Sequence, residues 1–285
     1  MIKITVKAYA KLNLSLDVLG KREDGFHNMR MVMQSVDFAD VVEITADTGG
    51  GIGVRTNLAY LPNDERNIAV RAALEFARET GVEYNGLELN IQKRIPVCAG
   101  MGGGSSDAAA VLKGLNELYK TELSLEKLME IGLRLGADVP YCIMGGTALA
   151  EGIGEILTPL RPIQDCWFVI CKPRFSASTP LIFSKLDSLR ITQRPDTASI
   201  LAAIECGNLV DMSRHMFNVF EPVVAAEHRE IREQQHILIS NGALGASMSG
   251  TGPTVFGIFT DRKEAERARS ELKEHERAVF ITKPV

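Results

Sequence analysis

The chain has 285 residues, 45% apolar and 24% charged, and carries a net charge of -4. That length holds about two domains with well-formed cores, and the acidic balance offers no general basic field for nucleic acid, so any anion site must be local. No apolar run reaches the ~18 residues of a membrane-spanning helix. Five cysteines (Cys98, Cys142, Cys166, Cys171 and Cys206) form no Cys-x-x-Cys pair, which fits the reducing cytoplasm better than a disulfide framework.

Residues 1–18 alternate apolar with polar side chains, as one or two strands do, and lack a signal-peptide core. Within them stands Ala8-Tyr9-Ala10-Lys11-Leu12-Asn13-Leu14. A lysine among small and apolar residues is either a solvated guard on a strand edge or an ammonium paired for a purpose. The polar run Lys21-Arg22-Glu23-Asp24-Gly25-Phe26-His27-Asn28 follows, its Asp-Gly pair marking a tight turn. Phe26 beside His27 offers a flat face for a base, or else an ordinary core ring beside a solvated imidazole. A strand is expected over 36–44 and a glycine-rich loop over 49–53. A helix is expected over 67–80, capped by Asn67 and stopped by Gly81.

The stretch that organises the chain is Pro96-Val97-Cys98-Ala99-Gly100-Met101-Gly102-Gly103-Gly104-Ser105-Ser106-Asp107. Before it, Leu87, Leu89, Ile91 and Ile95 alternate as in a strand. After it, Ala108, Val111, Leu112 and Leu115 recur at helical spacing. Glycines let a backbone turn its N–H groups toward a ligand, and a helix start adds unpaired donors and a positive dipole end, which together suit a phosphate. A plain strand-to-helix turn, capped by Ser105, Ser106 or Asp107, needs fewer glycines. The stretch is no Walker A loop, since Gly-Lys-Ser/Thr is missing, and Ser105 stands where a dinucleotide fingerprint has its third glycine.

Another helix is expected from Ser124 to Leu135, capped by Ser124 and ended by Gly136, then Gly136-Ala137-Asp138-Val139-Pro140. There Asp138 is either the cap of a short turn opened by Pro140 or a catalytic carboxylate. A glycine-bounded strand over 145–154 and a domain boundary near 158–165 come next. In the second half, a strand at 167–171, helices from Thr179 to about 240, strands at 244–248 and 254–260, a helix at 262–275 and a strand at 278–283 spell a split βαβ pattern.

Taken together, Ala10-Lys11-Leu12-Asn13-Leu14, the Pro-x-x-x-Gly-x-Gly-Gly-Gly-Ser-Ser loop, Gly136-Ala137-Asp138-Val139-Pro140 and Ser249-Gly250-Thr251-Gly252-Pro253 resemble the GHMP kinases, the galactokinase, homoserine, mevalonate and phosphomevalonate group. With Asp24-Gly25-Phe26-His27 the likeness narrows to the branch whose acceptor carries a cytidine diphosphate. The resemblance implies an α+β fold: a domain over 1–158 like the second domain of ribosomal protein S5, and a ferredoxin-like domain over 159–285. It implies an ATP-dependent small-molecule kinase, Lys11 and Asp138 as the catalytic pair, and residues 96–106 (Pro96, Val97, Cys98, Ala99, Gly100, Met101, Gly102, Gly103, Gly104, Ser105 and Ser106) at the ATP phosphates. It places Asn67 and Lys93 near the adenine, and Asn13, Phe26, His27, Thr179 and Phe183 around the acceptor. Ser106 becomes the protein ligand of Mg2+. One departure is Phe26, where the family usually has Tyr, so stacking survives and the phenol's hydrogen bond is lost. The expected protein is cytoplasmic, a monomer or homodimer, without nucleic-acid or membrane partners.

Overall fold

The N-terminal alternation becomes one 20-residue strand, β1 (Ile2–Lys21), in the computed structural model, which describes residues 2–285. An equally long strand, β2 (His27–Ala46), returns after a tight turn in which Gly25 takes a φ of 85°. The expected strand over 36–44 is thus the second half of a longer one, because Met29, Met31, Val32 and Met33 are buried as well. A short strand, β3 (Ile52–Thr56), stands where only a loop over 49–53 was expected. Then come α1 (Ile68–Thr80), β4 (Leu87–Gln92), α2 (Gly103–Tyr119), α3 (Leu125–Leu135), α4 (Val139–Met144), β5 (Thr147–Gly152) and β6 (Ile156–Pro159). The second half holds β7 (Trp167–Lys172), α5 (Thr179–Asp187), α6 (Thr197–Glu205), α7 (Leu209–Arg214), β8 (Phe217–Asn218), α8 (Glu221–Ala225), α9 (Glu230–Ser240), β9 (Gly245–Met248), β10 (Val255–Phe259), α10 (Arg262–His275) and β11 (Ala278–Thr282).

Contacts divide the chain into two units interleaved in sequence: Met1–Ala10, Phe38–Val97 and Gly102–Gly145 form one, and Lys11–Asp37, Cys98–Met101 and Gly146–Val285 the other. In the first unit β3, β4, β2 and β1 are neighbours in that order, β4 antiparallel to β2 and parallel to β3. Helices α1 to α4 supply the covering layer, and Phe76, Leu87, Leu89, Ile44, Leu112 and Ile131 belong to one buried cluster. Local chemistry sets the helix ends. The Asn67 side chain accepts from Ala69 N and Gly81 ends α1 at a φ of 72°, while Ser124 accepts from Lys127 N to open α3.

In the second unit β5 pairs with the first half of β2 and with β6, and β8 adds in parallel to β1 at Ser15 and Leu16. Its other sheet runs β11-β7-β10-β9, all neighbours antiparallel. The parallel strands β7 and β9 are separated by β10, which is the split βαβ of a ferredoxin-like fold. Phe168, Ile170, Phe256 and Ile258 fill this sheet, and Ala265, Ala268 and Leu272 form the buried stripe of the otherwise polar α10.

Close approach explains one glycine. A Cβ at Gly114 on α2 would stand 2.5 Å from Ile44 Cδ1 and 3.0 Å from Val6 Cγ2. Gly114→Val therefore forces the helix off the sheet and lowers stability by about 1–3 kcal/mol, the usual cost of overpacking. Urea denaturation measures this, with the half-exposed Leu133→Ala on α3 as a near-neutral reference.

Candidate active site

The glycine stretch folds as its composition demands. Helix α2 opens at Gly103 with Gly102 as its cap at a φ of 69°, and no side chain caps it. Ser105 and Ser106 lie inside the first turns, so the capping role considered for them and for Asp107 is not the one they play. Ser106 is buried; its N–H bonds Gly102 O, and its hydroxyl donates to Tyr9 O at 2.6 Å. That leaves the hydroxyl lone pairs as the oxygen donor a hard cation accepts. No group of three or more His, Cys, Asp or Glu among the described residues could hold a metal. A hydroxyl oxygen of this kind fits the hard-oxygen preference of Mg2+.

Beneath this helix start lies a buried ionic cluster. Lys93 Nζ reaches Asp40 Oδ2 at 2.5 Å and Asp107 Oδ2 at 2.6 Å, with all three side chains under a tenth exposed. Asp40 Oδ1 also accepts the backbone N–H groups of Arg94 and Ile95. A Cβ at Gly103 would come within 3.5 Å of the Lys93 ammonium. The cluster thus ties the chain entering the loop, at 93–95, to the helix leaving it, at 107. Burial alone would lower the lysine's pKa, but two carboxylates outweigh it and the net direction is up. Burial pushes the Asp107 carboxyl up to about 7, with Asp40 adding to the rise and Lys93 opposing it. Its second oxygen, Oδ1, is buried without a hydrogen-bond partner. Lys93 was read as an adenine neighbour; its side chain is committed to this cluster and its backbone to Asn57, through N–H to Oδ1 at 2.7 Å and O to Nδ2 at 3.0 Å. Asn67 is likewise engaged, between Pro62 O and Ala69 N.

In the second unit, Lys11, Asn13, loop residues Gly100 and Met101 and the glycine turn 249–252 form a hydrogen-bonded knot. Lys11 N–H donates to Met101 O at 3.0 Å and its ammonium to Asn13 Oδ1 at 2.8 Å. Asn13 N–H donates to Ser249 Oγ at 3.2 Å, and that hydroxyl donates to Gly100 O at 2.8 Å. Gly100, with a φ of 73°, packs so closely that a Cβ would lie 2.2 Å from Ser249 O. Asn218, fully buried, fixes the turn by donating to Met248 O and Gly250 O. Pro96, Val97, Cys98 and Ala99 lead into this knot, Cys98 exposed at a φ of 53° and Ala99 buried.

The aromatic candidates also lie in this unit. His27 is nearly buried, its ring 4.7 Å from that of Phe183, which meets Phe220 edge-on at 4.7 Å. Phe26 is 57% exposed, so the core-ring alternative does not hold. Thr179 Oγ1 lies 2.8 Å from Thr251 Oγ1, in the same glycine turn. Asp138, in the first unit, occupies the cap position of α4 with Pro140 behind it, yet its side chain makes no capping hydrogen bond. Residues to which the sequence reading gave no role in the site are Asp40, Asp107, Asp187, Asn218 and Ser249. Asp107 and Ser249 lay within motifs already noted, Asp107 there as a candidate helix cap; Asp40, Asp187 and Asn218 carry no local signal.

Residues 67–146 match the family described as GHMP kinases N terminal domain, and residues 200–278 match GHMP kinases C terminal. A 4-diphosphocytidyl-2-C-methyl-D-erythritol kinase of Lachnoclostridium phytofermentans is 49% identical over 95% of this chain and 92% of its own. One from Clostridium perfringens is 47% identical over 94% and 93%. Among solved structures, a 4-(cytidine 5'-diphospho)-2C-methyl-D-erythritol kinase superposes with a TM-score of 0.82 at 30% identity, covering 99% of both chains. A homoserine kinase from Cytophaga hutchinsonii reaches 0.79 at 20% identity over 98% and 94%, a likeness of fold alone.

The ionic cluster predicts a pH effect. Asp107 holds its proton more tightly folded than unfolded, so between its ordinary 3.8 and about 7 the native state binds more protons and stability falls as pH rises. Asp107→Asn removes that loss while keeping an acceptor for Lys93. Its melting temperature should gain on the wild type as pH goes from about 5 to about 8. A constant gap would show that Asp107 is ionised throughout.

Proposed function

The chain belongs to the GHMP kinases, and we propose that it transfers the terminal phosphoryl group of ATP to the 2-hydroxyl of 4-diphosphocytidyl-2-C-methyl-D-erythritol, giving the 2-phosphate and ADP in non-mevalonate isoprenoid precursor synthesis. The observation that carries this reading is 49% identity, over nearly the full length of both chains, to a kinase named for that acceptor. We assign residues 1–158 to the ATP-binding domain and 159–285 to the ferredoxin-like domain, the latter supported by the sheet of β7, β9, β10 and β11. Reduced cysteines and the need for ATP suit a cytoplasmic enzyme.

Phosphoryl transfer asks a protein for positioning and charge neutralisation more than for covalent chemistry. In our reading the uncapped start of α2 and the loop from Pro96 to Ser106 receive the β- and γ-phosphates on backbone N–H groups, favoured by the helix dipole. The Ser106 hydroxyl would be the protein oxygen that holds Mg2+, which when bound would supply further charge neutralisation. Asn67 and Lys93 border the adenine through the backbone that their side chains hold in place. Asp138 orients the acceptor hydroxyl and takes its proton late in a loose transition state. Lys11, its ammonium held by Asn13, stabilises negative charge on the moving phosphoryl group. The cytosine stacks between Phe26 and Phe183 beside His27, with Asn13 and Thr179 lining the rest of the acceptor site.

Two measurements test this. ADP release with Mg-ATP should occur with the cytidine-bearing acceptor and not with homoserine or mevalonate; turnover confined to either of those would overturn the assignment, and nucleotide binding without any turnover would mark a sensor. Asp138→Asn and Lys11→Met should each cut kcat by about a hundredfold or more, as removal of general acid–base groups does. Near-normal turnover in a folded variant would remove that residue from the mechanism.

A further inference from the structure

Helix α5 presents two residues at i and i+4 spacing, Phe183 and Asp187, and both meet His27. Phe183 supplies the ring contact, backed by Phe220. Asp187 Oδ1 lies 2.7 Å from His27 Nε2, and its Oδ2 accepts from Lys21 Nζ at 2.8 Å. Lys21 first, then His27, hold the Asp187 carboxyl below the usual range, so it is an ionised acceptor at neutral pH. A nitrogen facing an ionised carboxylate oxygen at that distance carries the proton. The other nitrogen of a neutral imidazole is then left with a lone pair. No hydrogen bond within the described residues engages that Nδ1.

We propose that Asp187 is a positioning residue that decides which pyrimidine the acceptor site takes: by holding the Nε2 proton of His27 it makes Nδ1 a hydrogen-bond acceptor, which selects the 4-amino group of cytosine over the 4-oxo group of uracil. Cytosine offers a donor at that edge and uracil, like thymine, an acceptor. An acceptor on the protein therefore pairs with the first and faces a lone pair of the second. A site built around one hydrogen-bond polarity rejects the opposite one because buried polar groups are left unpaired. The proposal rests on the reading that the acceptor carries cytidine. The alternative role for Asp187 is a plain tie between helix α5 and the turn after β1. Such a tie contributes roughly 0–1 kcal/mol and is indifferent to the base.

The test uses the full chain with Mg-ATP, the cytidine-diphosphate acceptor and its uridine counterpart. In Asp187→Ala, KM for the cytidine compound should rise about tenfold, as loss of one oriented hydrogen bond to a ligand implies, while KM for ATP holds. The preference for cytidine over uridine in kcat/KM should fall by about the same factor. Asp187→Glu should recover most of it. Nitrogen-15 spectra of the ligand-free enzyme should show His27 protonated on Nε2 and bare on Nδ1, and a mixture of tautomers in Asp187→Ala. An unchanged preference in a folded Asp187→Ala, or a wild-type His27 protonated on Nδ1, would overturn the proposal. A wild-type enzyme idle on the cytidine compound would overturn the acceptor reading, and the proposal with it.

Discussion

Two carboxylates share one buried ammonium beneath the start of α2, and the shape of the glycine loop depends on that arrangement. Asp40 holds the backbone of Arg94 and Ile95 where the chain leaves β4, and Lys93 spans from Asp40 to Asp107 inside the helix. Desolvating three charges is expensive, and removing one partner of such a set strands the others at a cost of about 3–5 kcal/mol. An apolar trio would serve stability as well. What the ionic set adds is direction: each contact fixes a particular backbone position, so the helix can begin at a glycine with no side chain over its first N–H groups. Gly102 takes the left-handed turn into the helix that glycine allows, and the donors above it carry no side-chain cap.

In the second unit a close backbone approach is held by hydrogen bonds from buried side chains. Gly100 approaches Ser249 more closely than any side chain allows, and the Ser249 hydroxyl bridges Gly100 O and Asn13 N. Asn13 in turn orients Lys11. The Lys11 ammonium thus has one buried side-chain anchor in Asn13, and its backbone a second in Met101 O. Lysine is the more mobile of the two basic side chains. Fixing its ammonium through Asn13, itself fully buried, removes much of that freedom.

Features encoded over a few residues were legible in the sequence. Caps at Asn67 and Ser124, the stops at Gly81 and Gly136, the glycine loop and the βαββαβ order of the second half all follow from local propensity and period. Partners brought together by the fold were not. Lys93 stood out as a residue, yet its partner Asp40 lies 53 positions away, and His27 meets Asp187 across 160. Strands β3 and β6 escaped notice because Gly51 and Gly53 in one case, and two prolines near 160 in the other, mimic loop composition. Their edge positions tolerate such residues.

The charge of the loop's foundations bears on how an acidic chain handles a polyanion. With Asp40 and Asp107 both ionised, the cluster carries one more negative charge than Lys93 cancels, directly below the helix start that we assign to the ATP phosphates. A helix N-terminus stabilises one anion well and two less so, since they compete for the same dipole. The rise of the Asp107 carboxyl to about 7 relieves that competition, because a neutral acid leaves the cluster balanced and the dipole free for phosphate. Phosphate binding above should in turn favour the protonated acid below, by the reciprocity that links any two charges sharing a field. In our reading the affinity for ATP then rests on backbone donors rather than on a basic surface, which would let a protein of net charge -4 hold a triphosphate without attracting every polyanion it meets.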